Sequence, residues 1–174
     1  MTIPGVLLTG GASTRMGVDK ARLVIVDEPL AVHSGRVLAS VCDPVVEVGD
    51  GVSGLSAIRE SPIGAGPLVA FLAGIDHLQA PDAVILLACD LPAIDEATLR
   101  WIADQPGSNT IIPTISGTPQ YACARYSRAA INAAHGHALA ALTDAGDATY
   151  LAADAHADAL ADVDTPADVR RLGG

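Results

Sequence analysis

Cationic side chains, glycines and hydroxyls are concentrated near the start of this chain. Residues 8–20 read Leu-Thr-Gly-Gly-Ala-Ser-Thr-Arg-Met-Gly-Val-Asp-Lys, and Lys20 is the only lysine in the 174 residues. Backbone N–H groups of a glycine-rich turn can approach a phosphate closely, and a cation after the turn neutralises the phosphate charge. The segment therefore predicts a loop that binds a nucleotide polyphosphate. Its candidate contacts are Gly10, Gly11, Ser13, Arg15 and Lys20.

The spacing within this loop excludes two better-known phosphate-binding motifs. A P-loop carries its lysine directly after its second glycine and before Ser or Thr, whereas Lys20 comes three residues after Gly17 and precedes Ala21. The dinucleotide fingerprint separates its first two glycines by one residue, whereas Gly10 and Gly11 are adjacent. The alternative interpretation is a flexible connection with incidental charges. The placement of the single lysine there argues against it.

The overall charge excludes some classes of partner. Twenty Asp and Glu residues against ten Lys and Arg residues give a formal net charge of −10. Nucleic acids and anionic membranes are bound by surfaces with an excess of Lys and Arg, so neither is an expected partner. An anionic ligand must therefore meet a local basic site, such as the loop at residues 8–20.

Apolar residues make up 50% of the chain, which is typical of a compact domain with a sizeable core. Alanine supplies 32 residues while Phe and Trp supply one each, so the helices should pack closely. No apolar stretch approaches the roughly 20 residues of a membrane span, and no basic residue precedes the first apolar run, which predicts a cytoplasmic protein. The spacing of Cys42, Cys89 and Cys123 suits neither disulfides nor zinc, so these thiols are expected to be reduced and mostly buried.

Apolar segments of strand length alternate with alanine- and leucine-rich segments of helical period, the pattern of a largely parallel sheet. The predicted strands are Pro4–Thr9, Val45–Gly49, Ala83–Ala88, Thr110–Thr114, Tyr121–Arg125 and Tyr150–Ala152. The predicted helices are Leu30–Val41, Pro67–Leu78, Asp95–Asp104, Ser127–Ala134, His137–Asp144 and Pro166–Leu172. Gly117 and Pro119 favour a chain reversal, which adds an antiparallel element late in the chain. We expect one three-layer α/β/α Rossmann-like domain with a mostly parallel mixed sheet and its site at the carboxyl ends of the strands.

Four motifs along the chain carry a resemblance to a known family. Leu8-Thr-Gly-Gly followed by Arg15-Met-Gly-Val-Asp-Lys20 resembles the signature of the MobA-like molybdenum cofactor guanylyltransferases, which have the nucleotidyltransferase fold. Three supporting matches follow in the same order: Gly66-Pro67-Leu68, Cys89-Asp-Leu-Pro92 and Asp162-Val-Asp-Thr-Pro-Ala-Asp168. The resemblance implies Mg²⁺-dependent transfer of GMP from GTP to the terminal phosphate of molybdopterin, releasing pyrophosphate. Whether a carrier protein delivers this molybdenum cofactor acceptor is left open.

The resemblance also assigns roles within the predicted domain, residues 1–174. Residues 1–105 would form the nucleotide-binding half and residues 106–174 the acceptor-binding half. Arg15 and Lys20 would hold the polyphosphate and the leaving pyrophosphate. Asp90, after a strand that is apolar throughout, would anchor Mg²⁺, although a turn residue before Leu91-Pro92 is the alternative for it.

Further positions are implied by the same resemblance. The nucleotide would contact Leu8, Thr9, Gly10, Gly66 and Pro67. Glu60 stands where the family usually carries Asp, so its carboxylate reaches one methylene farther. Asp50 follows the second strand where the family often carries Asn, and a plain loop residue is the alternative for it. Gln120 would face the acceptor or lie in a solvated turn.

The chain departs from the guanylyltransferase pattern near its end, where Asp162 and Asp164 replace two asparagines of an Asn-Val-Asn-Thr-Pro motif. Two carboxylates would repel a phosphorylated acceptor unless a metal lay between them, so Asp164 is expected to help Asp90 hold Mg²⁺ or a second ion. Capping of a terminal helix is the alternative role for both. The departure also keeps open a cytidylyltransferase that uses CTP, while a sugar-phosphate nucleotidyltransferase or an inactive nucleotide-binding module is less favoured.

Overall fold

The computed structural model describes residues 2–10, 19–25, 27–79, 81–163 and 168. Ten strands are present in this part of the chain. They are β1 (Ile3–Leu8), β2 (Val24–Ile25), β3 (Glu28–Pro29), β4 (Cys42–Val48), β5 (Ala57–Ile58), β6 (Ala83–Ala88), β7 (Ile111–Ile115), β8 (Thr118–Pro119), β9 (Cys123–Ser127) and β10 (Thr149–Ala152). The α-helices there are α1 (Leu30–Val41), α2 (Pro67–His77), α3 (Glu96–Ala103) and α4 (Arg128–Ala133).

The main sheet has the order β10-β7-β9-β6-β1-β4-β5, and β8 pairs with the last two residues of β7, Thr114 and Ile115. Strand β1 lies between β4 and β6 and is parallel to both. Strand β9 is antiparallel to its neighbours β6 and β7. The expected mostly parallel mixed sheet is therefore confirmed; of its two antiparallel strands, β9 lies inside the sheet and the short β8 pairs with β7 alone.

Helices cover both faces of this sheet, which gives three layers. One face packs against α1 and α3 through residues such as Leu7 and Ile85. The opposite face packs against α2 and α4 through the alternate positions, including Val6 and Leu86. Because successive side chains of a strand point to opposite faces, a central strand covered on both sides is apolar throughout, as β6 is.

Small residues let the helices approach the sheet. A Cβ atom placed on Gly74 of α2 would lie 2.8 Å from a methyl group of Val6. Because Gly74 has no side chain, Val6 of β1 packs directly against the backbone of α2, and substitution of Gly74 by alanine would force the helix away from the strand. This contact agrees with the expectation that alanine- and glycine-rich helices pack closely.

The structure shifts several predicted elements. The strand predicted at Tyr121–Arg125 runs over Cys123–Ser127, because the Cys123 N–H donates to the Gln120 carbonyl at 3.2 Å and closes a turn just before it. The helix predicted at His137–Asp144 is a 3₁₀ helix over Leu139–Thr143. The His137 carbonyl accepts from the Leu68 N–H at 3.2 Å, which holds the chain against the start of α2 and delays the helix.

The helix predicted at Pro166–Leu172 falls, except for Asp168, outside the described residues. Within the described ranges, no helix combines the length and the apolar character needed to cross a bilayer.

Candidate nucleotide-binding site

A pocket of about 320 Å³ opens at the carboxyl ends of β1 and β6. These two strands pair in register up to Leu8 and Ala88, and the Cys89 N–H donates to the Leu8 carbonyl at 3.0 Å. Both strands therefore end at the same edge of the sheet, which is where open α/β folds bind their ligands. The pocket is lined by Leu8, Thr9, Gly10, Lys20, Pro67, Ala88, Cys89, Asp90, Ala122 and Leu139.

Lys20 reaches this pocket from a short 3₁₀ helix, Lys20–Arg22. Asp19 begins the helix, since its carboxylate accepts from the Ala21 N–H at 3.0 Å and pairs with the Arg22 guanidinium at 3.1 Å. This cap fixes the turn from which the Lys20 side chain extends. The Lys20 ammonium lies 3.9 Å from an Asp90 carboxylate oxygen, and the two side chains are 20% and 28% exposed. A cation and an anion therefore stand side by side at the pocket wall.

Asp90 lies two residues after the buried strand β6, and its backbone carbonyl accepts a hydrogen bond from a later segment of the chain. Beyond it, the Ile94 N–H donates to the Leu91 carbonyl at 3.2 Å and closes a turn. The Val163 N–H donates to the Asp90 carbonyl at 2.9 Å. The segment around Asp162 and Val163 is thereby placed next to Asp90, although Asp164 itself lies outside the described residues.

The site residues expected from sequence divide into three groups. Those brought together at the pocket are Leu8, Thr9, Gly10, Lys20, Pro67 and Asp90. Those outside the described residues are Gly11, Ser13, Arg15 and Asp164. Glu60, Gly66, Asp50 and Gln120 are described but are not among the residues that line the pocket.

The members of this last group have other contacts in the structure. Asp50 pairs with the Arg59 guanidinium at 2.9 Å on the surface. Glu60 accepts from the Gly64 N–H at 2.9 Å within its own loop. The Gln120 amide donates to the Thr118 carbonyl at 3.1 Å beside the β7–β8 turn. For Asp50 and Gln120, sequence left such a loop or turn role open beside the functional one.

Gly66 supports the pocket from behind Pro67. Its φ of +110° disfavours other residues, and a Cβ atom would lie 3.1 Å from the His137 carbonyl oxygen. The His137 ring nitrogen Nδ1 lies 2.6 Å from the Ala65 carbonyl oxygen. The Gly66-Pro67 step therefore fits between the start of α2 and the segment that carries Leu139 into the pocket.

Sequence reasoning missed Glu47, whose side chain is fully buried behind the pocket wall. The Thr9 hydroxyl donates to Glu47 Oε1 at 2.5 Å. Burial acts to raise the pKa of Glu47, but hydrogen bonds from Ser53, Thr9 and backbone N–H groups outweigh it and hold the pKa below its usual value. The sequence does distinguish this residue, because Glu47 is the one charged residue within the otherwise apolar sequence of residues 45–48.

The donor set at the pocket fits a hard divalent cation that is shared with a ligand. Among the described residues, no group of three or more His, Cys, Asp and Glu side chains could enclose a metal ion. Asp90 offers one carboxylate at the pocket wall, and Mg²⁺ typically binds through one or two carboxylates together with phosphate and water oxygens. Asp90 is thus suited to Mg²⁺ that arrives with a polyphosphate.

The three thiols are unsuited to nucleophilic catalysis. Cys42, Cys89 and Cys123 are free and buried, and burial raises the pKa of each to about 12. The thiolate is the reactive form, so at pH 8 only about one thiol in 10⁴ would be ionised.

We therefore expect the native protein to resist alkylation by iodoacetamide at pH 8, with all three cysteines modified once guanidinium unfolds it. Mass spectrometry at timed intervals checks this expectation. Modification of Cys89 in the native protein as fast as in the unfolded chain would contradict it and would mark an accessible thiolate in the pocket.

Comparison with known proteins gives a family and a set of relatives. The family model described as the MobA-like NTP transferase domain matches residues 5–158. A molybdenum cofactor guanylyltransferase of Bradyrhizobium sp. is 37% identical over 102 residues, which cover 52% of this chain and 48% of that protein. One from Burkholderia vietnamiensis is 35% identical over 105 residues, which cover 53% and 51%. The chain spans about half the length of the curated relatives it matches.

Solved structures with this fold cover almost the whole chain. The molybdopterin-guanine dinucleotide biosynthesis protein A of Archaeoglobus fulgidus superposes with a TM-score of 0.69 at 17% identity, covering 98% of this chain and 96% of that one. A protein of Mycobacterium tuberculosis superposes with a TM-score of 0.75 at 21% identity, covering 99% and 97%. At these identities the likeness establishes the fold, which is that of the nucleotidyltransferases.

Proposed function

Because this chain belongs to the family of MobA-like NTP transferase domains, we propose that it transfers GMP from GTP to the terminal phosphate of molybdopterin. The products are molybdopterin guanine dinucleotide and pyrophosphate. One observation carries the proposal: the end of β1 at Leu8–Gly10, the Lys20 ammonium and the Asp90 carboxylate meet in one pocket at the carboxyl ends of β1 and β6. The names of the curated relatives support GTP as the donor and the molybdenum cofactor as the acceptor.

The chemistry requires positioning and positive charge more than a reactive side chain. Nucleotidyl transfer proceeds by in-line attack of the acceptor phosphate on the α-phosphorus, and negative charge accumulates on the phosphate oxygens. Lys20, 3.9 Å from Asp90, is placed to bind those oxygens and the departing pyrophosphate. Asp90 would hold Mg²⁺, which when bound neutralises charge on the polyphosphate. Arg15 is proposed as a second phosphate-binding cation.

The rest of the pocket suits a nucleoside. Leu8 and Leu139 supply apolar surface, while Thr9 and Gly10 follow β1 with little side-chain bulk. Residues 1–105 are proposed to bind the nucleotide and residues 106–174 the acceptor. Ala122 and Leu139, from the second half, reach the same pocket, so the two substrates would meet there.

Binding of GTP, CTP, ATP and UTP to the purified protein, with and without Mg²⁺, tests this proposal by calorimetry. We expect Mg²⁺-dependent binding with GTP preferred, by a factor of about 10–100, since pocket contacts discriminate between related ligands by roughly 1–3 kcal/mol. A preference for CTP would reassign the chain to cytidylyl transfer, which the two terminal aspartates Asp162 and Asp164 favour. Absence of binding to any nucleotide would refute a catalytic role.

A turnover assay adds the acceptor. Release of pyrophosphate from GTP should require molybdopterin, since the proposed reaction forms no covalent intermediate with the protein. Pyrophosphate release from GTP in the absence of an acceptor would contradict direct transfer, because it would indicate hydrolysis or a protein nucleophile.

A further inference from the structure

Behind the pocket wall, the Glu47 side chain joins the end of β1 to the loop that follows β4. Glu47 Oε1 accepts from the Thr9 hydroxyl at 2.5 Å and from the N–H groups of Gly51 and Val52 at 2.9 and 3.0 Å. Glu47 Oε2 accepts from the Ser53 N–H at 2.9 Å and from the Ser53 hydroxyl. One fully buried carboxylate therefore ties the end of β1 to the loop after β4.

The strand register explains why these groups meet. Leu7 of β1 is paired with Glu47 of β4, so Thr9 and the loop at residues 49–53 both leave the sheet at this level. The loop folds back over the carboxylate and packs on α1, where a Cβ atom on Gly35 would lie 2.9 Å from the Ser53 Cβ. The loop at residues 49–53 thus contacts Glu47 on one side and α1 on the other. The position of the Thr9 hydroxyl depends on this loop, because both bind the Glu47 carboxylate.

Gly49 makes room for the Thr9 hydroxyl. A Cβ atom on Gly49 would lie 2.0 Å from Thr9 Oγ1 and 2.9 Å from the Gly10 nitrogen. The Thr9 and Gly10 N–H groups both point at the Val48 carbonyl, at 3.1 and 3.3 Å. Thr9 and Gly10 are therefore held by β4 at three points, two of which involve Thr9.

We propose that Glu47 is a positioning residue for nucleotide binding: by accepting the Thr9 hydroxyl proton and bracing the loop at residues 49–53, it fixes the part of the pocket wall formed by Thr9 and Gly10. This inference rests on the proposed function. The Thr9 hydroxyl has one proton, and it goes to a carboxylate that can only accept. The Thr9 oxygen can therefore act toward any nucleotide group only as an acceptor, and its location is set before the ligand arrives.

Thr9→Val is the decisive variant. Valine keeps the shape of threonine and removes the hydroxyl, while Glu47 Oε1 keeps its two N–H donors from Gly51 and Val52. The fold should therefore survive with a small loss of stability. We expect the Kd and the KM for GTP to rise about 10-fold while kcat changes less than 3-fold, since the lost contact orients the nucleotide equally in the ground and transition states.

Two further variants test the role of Glu47 itself. Thr9→Ser keeps the hydroxyl and should restore the wild-type Kd. Glu47→Gln keeps the size of the side chain but gives up one acceptor oxygen, and should raise the Kd at least as much as Thr9→Val does. Because both changes break one hydrogen bond, the Thr9→Val/Glu47→Gln double variant should bind no more weakly than Glu47→Gln alone. Additive losses would overturn the inference that Glu47 acts through Thr9.

Thr98→Val is the matched structural control. Thr98 is also buried, and its hydroxyl lies 3.0 Å from His156 Nδ1, away from the residues that line the pocket. A purely structural role for buried threonine hydroxyls would lower the melting temperature in both Thr98→Val and Thr9→Val and leave the Kd of each folded protein unchanged. We expect the Kd to change only in Thr9→Val.

The outcomes separate this inference from the proposed function. Wild-type protein that binds GTP, together with an equal Kd for Thr9→Val, would overturn the inference alone. Wild-type protein that binds no nucleotide would overturn the proposed function and the inference with it. A Kd that rises in Thr9→Val and equals the wild-type value in Thr9→Ser would establish that the hydroxyl of Thr9, rather than its methyl group, fixes this part of the pocket wall.

Discussion

Replacing Lys20 with Met is expected to lower kcat/KM for GTP by about 10²- to 10³-fold, equivalent to roughly 3–4 kcal/mol of transition-state stabilisation. Methionine keeps the apolar stem and removes the ammonium group that stands 3.9 Å from Asp90. That charge would interact with phosphate oxygens as they gain negative charge, so kcat should fall along with affinity. Steady-state release of pyrophosphate as a function of GTP concentration measures both.

The fold should tolerate this change, because the Lys20 and Asp90 side chains are partly exposed and such ion pairs contribute little to stability. Arg22→Met is the matched control. Arg22 belongs to the same 3₁₀ helix and carries the same charge, but its side chain is 62% exposed and pairs with Asp19. Wild-type kinetics for Arg22→Met alongside a large defect for Lys20→Met would assign the effect to the position of the charge. Unimpaired turnover of Lys20→Met would refute the role of the first loop.

Local sequence patterns predicted the main helices and strands well, because each of these elements is determined by the residues within it. Leu30–Val41 forms a helix and Ala83–Ala88 a strand with the predicted bounds. Membership of the family of MobA-like NTP transferase domains, predicted from the motif that includes Lys20, is confirmed. These successes rest on short-range signals: hydrophobic periodicity for the elements and a compact motif for the family.

The Thr9–Glu47 contact could not be predicted in the same way. The two residues are 38 positions apart, and their meeting depends on the register between β1 and β4. The sequence shows a glutamate in an apolar strand, but not which donors make its burial tolerable. For Asp50, which follows β4, sequence left both a ligand contact and a plain loop role open, and only the structure shows that its carboxylate pairs with Arg59. Side-chain direction beyond the end of a strand is set by tertiary contacts rather than by local pattern.

The Asp90 carboxylate, two residues after β6, is expected to contribute as much to turnover as Lys20 does. Asp90→Asn should lower kcat by a factor on the order of 10³ and raise the Mg²⁺ concentration needed for half-maximal activity. Asparagine keeps the size and one carbonyl oxygen, so the turn after β6 and the hydrogen bond from the Val163 N–H to the backbone carbonyl remain. What is removed is the negative charge that would hold a divalent cation beside the polyphosphate.

Asp82→Asn provides the control at the opposite end of the same strand. Asp82 lies just before β6, its side chain is 91% exposed, and it pairs with Arg128. Loss of its charge should leave both kcat and the Mg²⁺ dependence unchanged. If Asp90→Asn lowered kcat with the same Mg²⁺ requirement as the wild type, Asp90 would act by orienting Lys20 rather than by holding the metal. If it retained full activity, the turn-residue interpretation of Asp90 would stand, and the metal would have to be held from the terminal segment that follows Val163.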